Sequence, residues 1–182
     1  MSEVSRDSQS SSNGCGRSLI GTARFSPCRR YRYTLERSWT LSQAGYVLFV
    51  GLNPSTADAQ TDDPTVRRMG QFARDWGFGR MTVCNLFAFR ATDPRVLKRA
   101  RDPVGPANIR VLRAQARRAA LIVACWGNHG QWQKQAALAL PLFIEGGQPL
   151  LCFGVTRLGE PKHPLYLRRS LAPVPLPDVS LR

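Results

Sequence analysis

The residues best suited to chemistry are an Asn-Pro step in GLNPS (Gly51 to Ser55), three carboxylates at Asp58, Asp62 and Asp63, and the two histidines, His129 and His163. Gly51 lets the backbone approach a ligand closely. Pro54 stiffens the loop and biases Asn53 to an extended conformation that presents its amide outward. The string lacks the second Gly and the Lys of a phosphate-binding P-loop. The carboxylates form the one dense acidic cluster in the chain and have the chemistry of a magnesium site. Asp62 and Asp63 also sit immediately before a helical pattern, where carboxylates cap helix N-termini. Weighed against each other, these readings assign no metal. His163, between Lys162 and Pro164, is in a stiff setting near positive charge that favours a neutral imidazole able to donate a hydrogen bond. His129 lies in GNHG, where bonding to backbone in a turn is the alternative to a functional role.

The elements that must position these groups follow from hydrophobic periodicity. Residues 29–39 alternate basic or polar residues with Tyr31, Tyr33 and Leu35, the period of a half-buried strand. Four apolar runs read as buried strands, within residues 45–52, 80–89, 119–130 and 148–155. A helix is expected from Asp63-Pro64 to Gly77, with Val66, Met69, Phe72, Ala73 and Trp76 inward. A short helix falls inside RATDPRVLKRARDPVG. An amphipathic helix over residues 106–119 turns Ile109, Leu112 and Ala116 inward, and a further helix runs from Gln131 to Pro141. Strands alternating with helices call for an α/β fold: three layers, α/β/α, around a mostly parallel four-stranded central sheet. Ligands bind such sheets outside the carboxyl ends of the strands. Asn53-Pro54 follows the first strand, Asn85 lies near the end of the second with Phe87 two residues on, Trp126, Asn128 and His129 follow the third, and His163 lies past the fourth. One cleft would collect them all.

At 182 residues with 43% hydrophobic content, the chain fits one soluble domain. The expected division is a disordered polar tail at 1–24, a single domain at 25–172 and a short tail at 173–182. The Ser-rich start has no apolar core to serve as a secretory signal, and no run approaches the ~20 residues of a membrane span. Cytoplasmic location and a monomeric state are the corresponding expectations. Five cysteines without a C-x-x-C favour reduced thiols over disulfides, zinc or an iron-sulfur cluster, so no cofactor is expected. The 26 basic against 12 acidic residues leave a formal charge of +14, a field that attracts polyanions, nucleic acid above all. Arginine-rich composition also arises from G- and C-rich genomes.

The strings GLNPSTAD, DDPT, NLFAFRATDP, DPVG, WGNHG and PKHPLYL, in this order, resemble a bacterial family labelled a domain of unknown function, the one numbered 1643. The likeness runs from Phe25 to Arg169. More distantly, the order of features is similar to the uracil-DNA glycosylase superfamily. GLNPS resembles the Gly-Ile-Asn-Pro-Gly loop of its mismatch-specific branch, and NLFAFRATDP and HPLYLRR resemble segments of its thermostable iron-sulfur branch. That resemblance implies that Asn53 orients water at the sugar C1′, that Asn85 reads a base edge, and that His163 donates to the base carbonyl. It also implies that Leu165 or Tyr166 fills the gap left by a flipped nucleotide. The sequence departs from the pattern in lacking the cluster cysteines, in carrying Ser55 in place of Gly, and in having no Ser-rich stretch after His163-Pro164.

Three readings follow. The first is a DNA-processing hydrolase acting on the N-glycosidic bond of a damaged or modified base, with Asn53 and His163 catalytic. Gly51, Pro54, Ser55, Asn85, Phe87, Trp126, Asn128, His129, Leu165 and Tyr166 would then contact substrate, and Arg90, Arg95, Lys162, Arg168 and Arg169 would line the rim. The second is a nucleic-acid or nucleotide binder of the same fold without catalysis. The third is a magnesium-dependent enzyme on a phosphorylated small molecule, built on the three aspartates.

Overall fold

The computed structural model describes residues 20–40 and 45–177, so nearly all of the expected N-terminal tail lies outside the described residues. In chain order the elements are β1 (Ile20–Phe25), β2 (Arg32–Ser38), β3 (Val47–Gly51), α1 (Pro64–Asp75), β4 (Arg80–Asn85), α2 (Pro94–Arg99), α3 (Asn108–Ala116), β5 (Leu121–Ala124), α4 (Gln135–Ile144), β6 (Leu150–Cys152) and β7 (Val174–Pro175). The fold is α/β. Its sheet is mixed and seven-stranded, in the order β1-β2-β4-β3-β5-β6-β7, where the sequence suggested a mostly parallel central sheet of four strands besides the half-buried strand at residues 29–39. The apolar runs are its parallel centre, β4-β3-β5-β6. Antiparallel strands extend it on both sides: β2 and β1 beyond β4, and β7 beyond β6. These edges were hard to read because β1 is exposed at alternate positions and β7 is only two exposed residues.

Both faces of the central strands are covered. Val47 and Phe49 of β3 pack with Val66, Met69 and Phe72 of α1, while Leu48 and Val50 face a cluster that includes Leu112 of α3 and Leu140 and Phe143 of α4. Each side chain of this kind, fully buried, contributes about 1.5–3 kcal/mol to stability. In α1, Asp63 caps the helix by accepting from the Val66 amide at 2.8 Å, and Pro64 stands in the first turn.

Two helices depart from expectation. In α3 the inward stripe is Asn108, Val111, Leu112 and Ala116, with Ile109 turned to solvent. Helix α4 continues through Pro141 to Ile144, while the segment before it is an irregular 3-10 stretch with Gln133 and Lys134 at positive φ. β2 is also more buried than its alternation suggests: Arg32, Thr34 and Arg37 are as enclosed as Tyr33 and Leu35. Being second from the sheet edge, with the 51–65 loop lying against it, the strand has no free face.

The chain leaves β3 for β4 on one side and returns to β5 on the other. The order therefore reverses between β3 and β5, the position where parallel α/β sheets open a crevice at their carboxyl ends.

Candidate functional site

A cavity of about 430 Å³ lies at that position. The loop after β3 supplies Gly51, Asn53 and Ser55. The end of β4 supplies Asn85, the loop after β5 supplies Trp126, Asn128 and His129, and the loop beyond β6 supplies His163. Four segments far apart in sequence thus meet in one space. Arg32, Asp63, Thr65, Met69 and Thr92 complete much of its wall.

Asn53 is held by both amide hydrogens. Its Nδ2 donates to the carbonyl of Ala91 at 2.7 Å and to that of Pro54 at 3.1 Å. The donors are spent inside the protein, which fixes the amide's orientation and leaves Oδ1 as the acceptor for a visitor. Gly51 makes room for the next group: a Cβ there would stand 2.9 Å from Asn85 Oδ1. Asn85 is buried at the end of β4, its backbone carbonyl accepts from Asn108 Nδ2 at 3.0 Å, and its own Nδ2 has no partner. On the same cavity wall Arg32 opens β2, with Nη1 donating to the Ala57 carbonyl at 2.7 Å and Nε unpartnered. Burial pushes the Arg32 guanidinium down to about 10, with the Asp63 carboxylate pulling the other way. It stays charged at neutral pH.

His163 stands at the mouth on a loop secured at several points. The Val155 and Pro161 backbones bridge, and the Gly127 amide donates to the Pro161 carbonyl at 2.9 Å. Gly127 has φ +71°, a conformation that favours glycine, and it sits against His163. The Leu165 amide donates to His163 Nδ1 at 3.4 Å, so the neutral ring carries its proton on Nε2. His163 is exposed overall, yet desolvation by the surrounding protein holds the imidazole below its ordinary value, against an upward pull from Asp63. Behind it, Trp126 Nε1 donates to buried Glu160 at 2.6 Å, and Asn128 Oδ1 accepts from Thr156 at 2.6 Å.

Other anticipated contacts lie elsewhere. Phe87 is core, with its ring 4.9 Å from that of Trp132. Pro54 is buried beneath the loop and reaches the site through its carbonyl, which also accepts from the Ala91 amide. Leu165 and Tyr166 follow His163 on the short turn Pro164–Tyr166, outside the cavity lining, with Tyr166 90% exposed. Arg169 is paired with Asp75 at 2.7 Å through two hydrogen bonds, and Arg95 with Asp93. Lys162 and Arg168 are exposed next to the His163 loop. Arg90 lies in a shallower groove with Arg29 and Arg30, and that groove shares Ser55, Ala91 and Thr92 with the cavity. The guanidinium groups of Arg29 and Arg90 lie 4.6 and 5.0 Å from the ring centre of Phe25.

The three aspartates go to separate tasks. Asp58 accepts from the Gln60 and Thr61 amides, Asp62 pairs with buried Arg37 at 2.6 Å, and Asp63 caps α1. Among the described residues no group of three or more His, Cys, Asp or Glu is placed to hold a metal ion. No helix among them is long and apolar enough to cross a membrane. Cys84, Cys125 and Cys152 are buried free thiols and Cys28 is an exposed one.

Arg32 is, with Thr65, Met69 and Thr92, a wall residue that reading the sequence missed. Within an alternating strand it has the register of a solvent-facing position, and nothing local marks it as buried. A family model described as "Protein of unknown function (DUF1643)" matches residues 32–165, a span that includes every cavity residue named above. No curated protein and no solved structure matches the chain.

Proposed function

Because the chain belongs to the DUF1643 family, whose description carries no activity, the site's chemistry must supply the reading: we propose a nucleic-acid-processing protein that hydrolyses the N-glycosidic bond of a damaged or modified base, on a fold of the uracil-DNA glycosylase kind. What carries the proposal is Asn53. An amide with both donors tied to backbone offers one fixed acceptor, which suits it to hold a water molecule by its hydrogen and aim the oxygen.

In this mechanism a base leaves the stack and enters the cavity, since its bond cannot be attacked within a duplex. The C1′–N bond breaks with its electron pair going to the base. The oxygen of the water on Asn53 bonds to C1′, and the proton it sheds ends on the departing base. His163 donates from Nε2 to the base oxygen where negative charge develops. A preset donor of this kind is among the largest catalytic terms. A neutral imidazole suits the task because its second nitrogen already accepts from Leu165. The arginine groove continuous with the cavity supports a polyanionic substrate whose backbone lies outside while the base is inside.

That groove also favours the second reading, a binder without turnover. The magnesium reading loses support because the three aspartates have other partners. The separating experiment incubates oligonucleotides carrying uracil, thymine mismatches, hypoxanthine or alkylated bases with wild type, Asn53→Ala and His163→Ala, followed by alkali. The expected result is strand cleavage by wild type that falls about 10²-fold or more in each variant. DNA binding without cleavage of any substrate would leave the binder standing and remove the hydrolase.

A further inference from the structure

The cavity floor holds a buried cation without a counterion. Arg32 is 3% exposed and lines the cavity, and its Nε has no hydrogen-bond partner. No carboxylate comes within ion-pair distance of it among the described residues. Asp63, the carboxylate sharing the cavity wall, acts on Arg32 at longer range and has Oδ1 occupied by the Val66 amide. Arg37, equally buried on the same strand, is by contrast paired directly with Asp62. Asn85, which lines the same cavity, is 4% exposed with an Nδ2 that also lacks a partner. A guanidinium has donors and no acceptor, and a buried charge without a partner is costly to keep. The ready compensation is a ligand that brings the acceptors and the negative charge.

We infer that Arg32 is a recognition residue for an acidic group on the bound ring, assisted by Asn85 Nδ2, and that the ligand class is anionic heterocycles: carboxylated pyrimidines or ionised oxo-purines. The inference rests on the preceding reading that the cavity holds a base, and adds which kind. A carboxylate, or an oxo group beside an ionised ring nitrogen, presents two neighbouring acceptors to the donors of Arg32 and Asn85. A neutral ring with an amino group at that edge would set donor against donor and leave both unsatisfied.

The test is calorimetric titration of the full chain with orotate, uracil-5-carboxylate and urate, against uracil as the neutral ring and acetate and phosphate as plain anions. Wild type, Arg32→Lys and Arg32→Gln are compared, with thermal melting to check folding. The expected result is that at least one acidic ring binds wild type about 10-fold or more tighter than uracil, as charge-assisted hydrogen bonds require. Arg32→Gln removes that preference and Arg32→Lys retains part of it. Equal binding of acidic and neutral rings, binding of acetate or phosphate as tight as the acidic rings, or an undiminished preference in Arg32→Gln each overturns the inference. Should Arg32→Gln fail to fold, the wild-type comparison decides alone. Acid-selective binding with no base release from DNA would sink only the hydrolytic reading. Release of a neutral base without acid preference would sink only this inference.

Discussion

At the scale of residues, the site consists of polar groups whose orientation the protein has already chosen. Asn53 and His163 each have one side of their hydrogen-bonding capacity consumed by backbone, which defines what remains for a ligand. For His163 this gives a measurable titration. Its folded pKa is lowered by desolvation while Asp63 raises it, so the imidazole in wild type protonates below the ordinary value of about 6.5. As pH falls the unfolded chain takes up this proton first. The stability tied to the neutral ring is therefore complete above that ordinary value and is lost as pH drops through it toward the folded pKa. In Asp63→Asn the upward pull disappears while an Asn still caps α1. NMR titration of the His163 ring should show a pKa below 6.5 in wild type and a lower one in the variant. An unchanged or raised value in Asp63→Asn would mean that Asp63 does not act on His163 across the cavity they both line.

At the scale of elements, two glycines stand where a side chain would press on residues that line the cavity, Asn85 and Trp126. Gly51 ends β3 against Asn85, so Gly51→Ala should push the Asn85 amide aside, weakening ligand binding about 10-fold while the melting temperature changes little. Calorimetry on the folded variant checks this, and unchanged affinity would remove Asn85 from the site. Gly130 packs against the Trp126–Glu160 pair with no room for a methyl group. Gly130→Ala should cost about 1–3 kcal/mol in denaturant unfolding, the usual range for overpacking. These elements also show what was legible beforehand. Apolar runs ending in Asn53-Pro54, Asn85 and Trp126 announce central strands and their loops, because a strand covered on both faces has to be apolar throughout. Helix α1 was equally plain from Asp63-Pro64 and the spacing of Val66, Met69 and Phe72. The edges β1 and β7 were not, since pairing through backbone leaves little trace in side chains. Arg32 and Arg37 were missed for a related reason. Alternation reports which side chains share a face of a strand, and only the tertiary arrangement says whether the opposite face is also covered.

At the scale of the whole molecule, the +14 charge is unevenly available. Arg37, Arg95, Arg113, Arg117 and Arg169 have acidic partners, so part of the surplus is neutralised locally. The groove formed with Arg29, Arg30 and Arg90 adjoins the cavity, and in the proposed function it is where a phosphate backbone would run. The proposed function therefore predicts a DNA affinity that falls steeply with salt. Arg90→Ala should weaken binding to all sequences alike and reduce the slope of log K against log salt by about 1, whereas Arg169→Ala, at a guanidinium already paired with Asp75, should change it less. Fluorescence anisotropy across a salt series distinguishes the two. Equal slopes for wild type and Arg90→Ala would place the backbone elsewhere on the surface.

The central claim is that water held by Asn53 displaces a base from its sugar, and mass-spectrometric detection of free base from modified oligonucleotides tests it most directly. Wild type should release an intact base and leave an abasic site in the strand, and Asn53→Ala should lose both products although it still binds the DNA. Base released equally by Asn53→Ala, or no base released from any substrate by wild type, would contradict it.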